Sequence, residues 1–480
     1  MRTPSGISRR ALMAAGVTAL AAGAAGCGSD IRPAPPAVPD QEWRRFAGTT
    51  INFISENTAP TVAIAANLRP FTELTGIEVN IAITDLGSVA QRVALDFASG
   101  DCQYHVIYAD PYQILAPYAK GFADLREFID QPGYPKVPGG IGDFVPAQLD
   151  ICGRFGRPDA VYALPYDCPT MIWHYRADIF AKYHDAMANA LGFDPTPRGE
   201  LSWDQYFRIA GWLNDNVKEI PYGTGHMAKQ HDSLGCDFLN VLVSYGGDYF
   251  HDGDTVGKIG KVAPGPSTLD SNAAIAAAEF YQKLLKIAHP GSAAWDWDGV
   301  TAALRGQQIV MCPNWHENAA GNEAALPGKI AYAPLPRGPK RSAHIFGGTG
   351  IGINGTAKGA ERGAAWLFAN WATQPSIELA NLASKVGGGT PTRTSVYAMP
   401  EVVAAEKRPS KLPNMLSAQA VKVAWEEKNI GRRPKIPMWG ECNTAQFTEL
   451  SKMVGGQAAD VTMRNIRDRF DRIVSRGWSV

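Results

Sequence analysis

Acidic and aromatic side chains recur just behind strand-like runs of this 480-residue chain. Glu56 and Asn57 follow "INFIS", Asp110 and Tyr112 follow "YHVIYA", and Tyr166 and Asp167 close "VYALPYD". Trp315, with His316 and Glu317 behind it, follows "QQIVMCPN". Gly347 and Gly348 stand before "IGIN", where a backbone without Cβ atoms can approach a bound molecule closely. In open α/β sheets small molecules sit beyond the carboxyl ends of the strands, so these positions are expected to face one crevice. The residue types suit a molecule rich in hydroxyls. Carboxylates and amides take hydroxyls in charge-assisted or bidentate hydrogen bonds. Aromatic faces cover the C–H side of such a molecule. Tyr166, Tyr245 and Trp315 are the expected platforms, with Trp295, Trp297 and Trp439 as second choices. Each residue also has a structural use: Glu56 and Asp110 as helix caps or loop acids, Tyr245 and Trp315 as core, the glycine pair as a turn. Arg393 in "PTRTSVY" suits a structural pair with a carboxylate.

Paired carboxylates across a cleft are also what a glycoside hydrolase requires, and Glu56, Asp110 and Asp167 could supply them. A (β/α)₈ barrel would show a similar rhythm of elements. Other enzyme signatures are missing or misplaced. "GIGING" (350–355) has glycine-fingerprint spacing, but its glycines lie inside a strand and not behind one. His316-Glu317 lacks the second histidine of a zinc protease, no G-x-S-x-G elbow occurs, and no C-x-x-C occurs. No cofactor and no metal are expected.

The elements that must position these residues alternate. "INFIS" (51–55), "IEVNIAI" (77–83) and "YHVIYAD" (104–110) read as strands. Between them, "TVAIAANLRPFTELTG" is helical with Pro70 bending or splitting it, and "SVAQRVALDFASG" is a helix closed by Gly100. This β-α-β-α-β order predicts a parallel, doubly wound sheet. Later, "AAIAAAEFYQKLLKIAH" puts Ala276, Phe280, Leu284 and Ile287 on one face, capped by Asp270 or Ser271. "GQQIVMCPNW" and "TGIGIN" read as strands, and the last helix aligns Ile466, Phe470 and Ile473.

Basic and acidic residues number 46 each, and hydrophobic residues make up 45%. Without the first 26 residues, which hold Arg2, Arg9 and Arg10 and no acid, the balance turns slightly acidic, so a nucleic-acid partner is not expected. The N-terminus has a basic region ending "SRR", the apolar "ALMAAGVTALAAGAAG", and small residues before Cys27, the grammar of a secretory signal. "AAGC" resembles a bacterial lipobox, which implies cleavage after residue 26 and lipidation of Cys27. "SRRALM" resembles a twin-arginine export signal. A Pro-rich stretch, 27–47, then suits a semi-stiff tether. Acyl chains at about 0.8 kcal/mol per buried methylene would hold the body at the outer face of a membrane. Six further cysteines remain, and the sequence does not choose their pairing.

Five stretches in order, "FTELTGIEVNI", "YALPYDCPTMIWHYRADIF", "LRGQQIVMCPNW", "GGTGIGINGTAKGAERGAAWLFANWATQPS" and "GGGTPTRTSVY", resemble extracellular solute-binding proteins of the maltose-binding-protein-like family. The resemblance implies two doubly wound α/β lobes joined by crossing strands, with a ligand cleft between them. It places lobe one at 48–165 and 346–390, and lobe two at 166–345 and 391–480. It implies a monomer that closes on a carbohydrate or polyol outside the cell and delivers it to the permease and ATPase subunits of an ABC importer, without chemistry on the solute. Glycerophosphodiesters are an alternative ligand class within the same resemblance.

Overall fold

The structure, a computed structural model, describes residues 41–384 and 388–477. The expected leader, Cys27 and the tether as far as residue 40 lie outside those residues. Strands occur in chain order as β1 (Thr50–Glu56), β2 (Glu78–Thr84), β3 (Val106–Ala109), β4 (Ala163–Asp167), β5 (Met171–Arg176), β6 (Tyr222–Thr224), β7 (Ile309–Trp315), β8 (Ile330–Ala333), β9 (His344–Ile345), β10 (Thr349–Ile353) and β11 (Ile430–Gly431). They form a five-stranded sheet, β2-β1-β3-β10-β4, a four-stranded sheet, β6-β7-β5-β8, and the small pair β11-β9.

The first sheet grows from the expected alternation. β1 pairs in parallel with β2 over its whole length and with β3 on its other side. Pro70 does split the intervening segment, into helices Ala59–Ala66 and Arg69–Thr75. Helix Leu86–Ser99 is capped by Asp85, which accepts from the Ser88 amide, and ends at Gly100 with φ 74°. The sheet is mixed and not purely parallel. β10 lies antiparallel between β3 and β4, because it arrives from the other lobe and enters at the opposite end. Helix Gly359–Ala372 buries Trp366, Leu367 and Phe368 beneath this sheet, with the Phe368 ring 5.5 Å from that of Phe53.

The second sheet is also mixed, β5 running antiparallel to both β7 and β8. Its core includes Trp173, Tyr206 and helices Asp232–Ser244 and Asn272–Ile287. The latter helix is capped by Ser271. Its buried stripe is Ala274, Ala277, Ala278, Phe280, Tyr281 and Leu284, so the expected face is right at Phe280 and Leu284, holds in part at Ile287, which packs half-buried against the core, and is off at Ala276. In the last helix Ile466 and Phe470 are buried and Ile473 is partly so.

Two crossings join the lobes side by side. β4 leads through Cys168–Thr170 into β5, and β9 leads through Phe346–Gly348 into β10. The Thr170 hydroxyl donates to the Ile345 carbonyl at 2.8 Å, and the Gly347 amide to the Pro169 carbonyl at 2.9 Å. Gly348 has φ 130°, and a Cβ there would stand 2.9 Å from the Asp167 carbonyl oxygen. Glycine is therefore required at the crossing. The six cysteines among the described residues are free thiols, with the Cys152 and Cys168 sulfurs 3.7 Å apart.

Arg393 is wholly buried as a structural bolt. Nε donates to the Thr373 carbonyl (2.8 Å), Nη1 to that of Pro138 (2.7 Å), and the guanidinium lies 3.8 Å from the centre of the Phe144 ring. Asp143 is 3.6 Å away. The expected carboxylate is present, but carbonyls and a ring carry much of the contact. A planar fork fits this socket and an ammonium does not. Arg393→Lys should cost about 2–3 kcal/mol in chemical denaturation, through donors and acceptors left unpaired in the interior. Unchanged stability would mean that lysine fills the socket equally well.

Candidate functional site

Five carboxylates from both lobes converge beyond the strand ends. Glu56 ends β1, Asp110 follows β3, and Asp167 ends β4. Glu317 follows β7, and Asp232 opens helix Asp232–Ser244. Glu56 feels the charges of Asp110, Asp167 and Asp232 and accepts a hydrogen bond from the Tyr108 hydroxyl. Burial, reinforced by those acids, pushes its pKa up to about 7.

Asp167 and Glu317 hydrogen-bond each other, and burial drives both upward, so the pair holds a proton. Asp167 also accepts from the Thr390 amide at 2.8 Å. His316 joins Thr390 through Nε2, 3.0 Å from the hydroxyl, and burial lowers its pKa to about 4. Near neutral pH it is uncharged and does not offset the acids.

Arg433 is the cation set against this group. It lies 3.8 Å from Asp232 and over Tyr112, 4.1 Å from the ring centre. Burial works against its charge, yet Cys236, Tyr112, Asp232 and Asp110 hold its pKa above the usual arginine value. Asp110 is 7% exposed and accepts from the amides of Tyr112 (2.9 Å) and Gln113 (2.6 Å). It is thus the cap of the next turn and an acid facing Arg433, and burial raises its pKa despite these partners.

Trp315 is half-buried at the end of β7, where β7 pairs with β5. A Cβ on Gly347 would stand 2.8 Å from the Trp315 ring, so the glycine lets the indole lie against the crossing. Gly348 sets the backbone turn beside Asp167. Asn57 is exposed next to Glu56, its amide tied to the Thr84 carbonyl. Tyr112 is wholly buried beneath Arg433, so it faces the guanidinium and not open space.

Two expected platforms stand elsewhere. Tyr166 is core: its ring meets Phe53 and Tyr108 edge-on, and its hydroxyl reaches Thr61. Tyr245 stacks on Phe280 at the far end of helix Asp232–Ser244, about 20 Å along the axis from Asp232. Among the second choices, Trp439 is buried against Tyr249 and Trp295 stacks on His289, while Trp297 meets His231 beside Asp232. Sequence reasoning missed Asp232, Arg433, Tyr108 and Thr390, and named Glu317 only as a neighbour. The one signal for Arg433 was "GRRPKIP", a cationic, proline-stiffened stretch with no helical or strand period.

Among the described residues no group of three or more His, Cys, Asp or Glu side chains is placed to hold a metal ion. No helix among them is long and apolar enough to cross a membrane.

Comparison with known proteins fits this geometry. The family profile for bacterial extracellular solute-binding proteins matches residues 54–378. The chain is 25% identical over 385 residues to a probable amino-acid ABC transporter periplasmic-binding protein of Sinorhizobium fredii, covering 78% of this chain and 79% of that one. It is 23% identical over 380 residues to the erythritol/L-threitol-binding protein of Mycolicibacterium smegmatis, covering 74% and 73%. Among solved structures, the maltose-bound MalE3 of T. maritima superposes with TM-score 0.71 at 22% identity, over 88% of this chain and 100% of that one. A solute-binding protein of Agrobacterium radiobacter in complex with ribitol gives 0.69 at 20% identity, over 88% and 98%. The hydrolase alternative falls, since the matched family binds solutes and is not enzymatic. With a profile covering more than half its length and a two-lobed fold to match, the chain belongs to the bacterial extracellular solute-binding protein family.

Proposed function

We propose that the cleft captures a neutral, hydroxyl-rich solute, a sugar or polyol, outside the cell and delivers it to an ABC permease by lobe closure. The observation that carries this is the meeting of Glu56, Asp110 and Asp167, at strand ends of the first sheet, with Asp232, Glu317 and Trp315 from the side of the second. Carboxylates on both sides take hydroxyls, and one indole covers a C–H face. A ligand that touches both lobes favours the closed state by its differential contacts. Support comes from neighbours of the same fold in complex with maltose, ribitol and D-mannitol, and from the erythritol/L-threitol-binding relative. Cys27 would carry the lipid anchor, and permease and ATPase subunits would be the partners.

The acid excess argues against glycerophosphodiesters, whose charge would meet five carboxylates and one guanidinium. It favours a second reading, a sugar or polyol that also bears an amine, since an ammonium would replace the protons the cluster holds. The test is a thermal-shift screen of residues 46–480 against sugars, sugar alcohols, amino sugars, amino acids and glycerophosphodiesters. A ligand at 100 times its Kd stabilises by about 2.7 kcal/mol. A shift with polyols or sugars supports the first reading, a shift confined to amines the second, and a shift with phosphodiesters alone overturns both. Trp315→Ala should weaken the identified ligand by about 1–2 kcal/mol, roughly 5- to 30-fold in Kd by calorimetry. Unchanged affinity in a folded variant removes the indole from the site.

A further inference from the structure

Behind β11 the chain reads "RRPKIPMW", and two of its cations leave it toward the other lobe. The segment belongs to lobe two by its backbone. The Lys435 amide donates to the Val256 carbonyl and its own carbonyl accepts from Lys261, both at 3.1 Å. The Lys435 side chain, however, is wholly buried in lobe one. Nζ donates to the main-chain carbonyls of Asp150 (3.3 Å), Ile151 (2.5 Å) and Arg154. Three acceptors match the three donors of the ammonium form, at the C-terminal end of the turn Leu149–Gly153, and they offset part of the burial that lowers its pKa to about 7.

That turn is itself fixed against the first sheet. A Cβ on Gly153 would stand 2.5 Å from the Ala163 carbonyl, and one on Gly350 2.8 Å from that of Cys152. The charged groups near the ammonium are Asp150 and Arg154, which pair with each other at 2.6 Å, and Asp110. Lys435 is therefore a plug from one lobe in a main-chain socket of the other.

Arg433 is two residues away. Pro434 fixes its own φ and confines Arg433 to extended backbone, so the link between the two cations is short and stiff. Arg433 alone carries about 2 kcal/mol of rotamer entropy and would sample many positions. With its neighbour plugged, its starting point is set relative to Asp110 and Tyr112 of lobe one.

We infer that Lys435 is the positioning residue for Arg433: its socket in the carbonyls of residues 150–154 holds the guanidinium over Tyr112 within the carboxylate cluster. This rests on the cleft being the solute site. The experiment is a double-mutant cycle by calorimetry on residues 46–480, with the ligand identified in the screen. Lys435→Met and Arg433→Met should each change Kd by about ten-fold, and the double variant should be no worse than Arg433→Met alone. Additive effects, or an unchanged Kd in Lys435→Met, overturn the inference, because a merely structural lysine would not share its effect with Arg433. Pro434→Gly serves where Lys435→Met does not fold, and should move Kd in the same direction and also be silent in the Arg433→Met background. A ligand-free readout separates this inference from the function. The Arg433 Nε–H, which is buried from solvent, should give a protected NMR resonance in the wild type and exchange faster in Lys435→Met. Equal protection in both proteins rejects the positioning role even if no solute is found.

Discussion

Replacing Glu56 with glutamine is expected to make the ligand-free protein more stable near pH 8, to leave its stability near pH 4 unchanged, and to weaken solute binding. The sign follows from the direction of the shift. Burial raises the Glu56 pKa from 4.5 to about 7, so the folded state holds the proton more tightly than the unfolded state does. Below 4.5 both states are protonated and the residue costs nothing. Between 4.5 and about 7 the unfolded state loses its proton first, and stability falls as pH rises. Above about 7 the full penalty stands, at most about 3 kcal/mol. Glutamine keeps the shape and removes the charge, so the variant should gain that amount at high pH, seen as a rise of several degrees in melting temperature. The wild-type curve alone would hide this. His174, His316 and His344, held neutral by burial, lose stability as pH falls below the usual histidine range, which opposes the carboxylate trend. The difference between variant and wild type at each pH isolates Glu56. In the same variant a charge-assisted acceptor is lost, so Kd near pH 8 should rise about 10- to 100-fold. A variant less stable than wild type near pH 8 would show that Glu56 is ionised and well paired in the free protein.

Such an opposition between stability and binding marks where sequence reasoning reached and where it stopped. Glu56, Asp110 and Asp167 were legible because each stands one step behind an apolar alternating run, and the end of a parallel strand is where a crevice opens. Trp315 was legible for the same reason. Pro70 and Gly100 placed helix ends through backbone constraints that need no tertiary context. The direction of β10 was not legible, because it depends on where the chain returns from after a long excursion through the other lobe. Tyr245 failed for a related reason: an aromatic at the end of an apolar helix looks the same whether it meets a ligand or Phe280. Asp232 carries no local signal, and Arg433 only that of a cationic, proline-stiffened stretch, which does not say what it faces. They stand about 200 residues apart in sequence, and the packing of helix Asp232–Ser244 against β11 and helix Trp439–Val454 brings them together.

Arg433→Met should change both the stability and the ligand preference of the protein, in a pattern that tells its roles apart. With the guanidinium gone, Asp110 loses the opposite charge that lowers its pKa, and Asp232 loses a cation 3.8 Å away. Removing one partner of a buried pair typically costs about 3–5 kcal/mol, because the remaining charge is left uncompensated. Asp110 is already raised by burial and would rise further, so the variant binds a proton more readily in the folded state than the wild type does. Its deficit should therefore be largest at high pH and shrink as pH falls and Asp110 takes up that proton. A deficit that stays flat with pH would assign Arg433 to packing on Tyr112 alone. The ligand preference supplies the second axis. Neutral polyols and sugars should bind the variant more weakly, having lost a donor. A ligand bearing an amine should lose less or gain, because the acidic cluster then faces one cation fewer. Calorimetry with a sugar and its amino counterpart reads this directly as a change in the ratio of their Kd values. An unchanged ratio would place the guanidinium outside the field felt by the ligand, and would leave Glu56, Asp167 and Glu317 as the acids that select it.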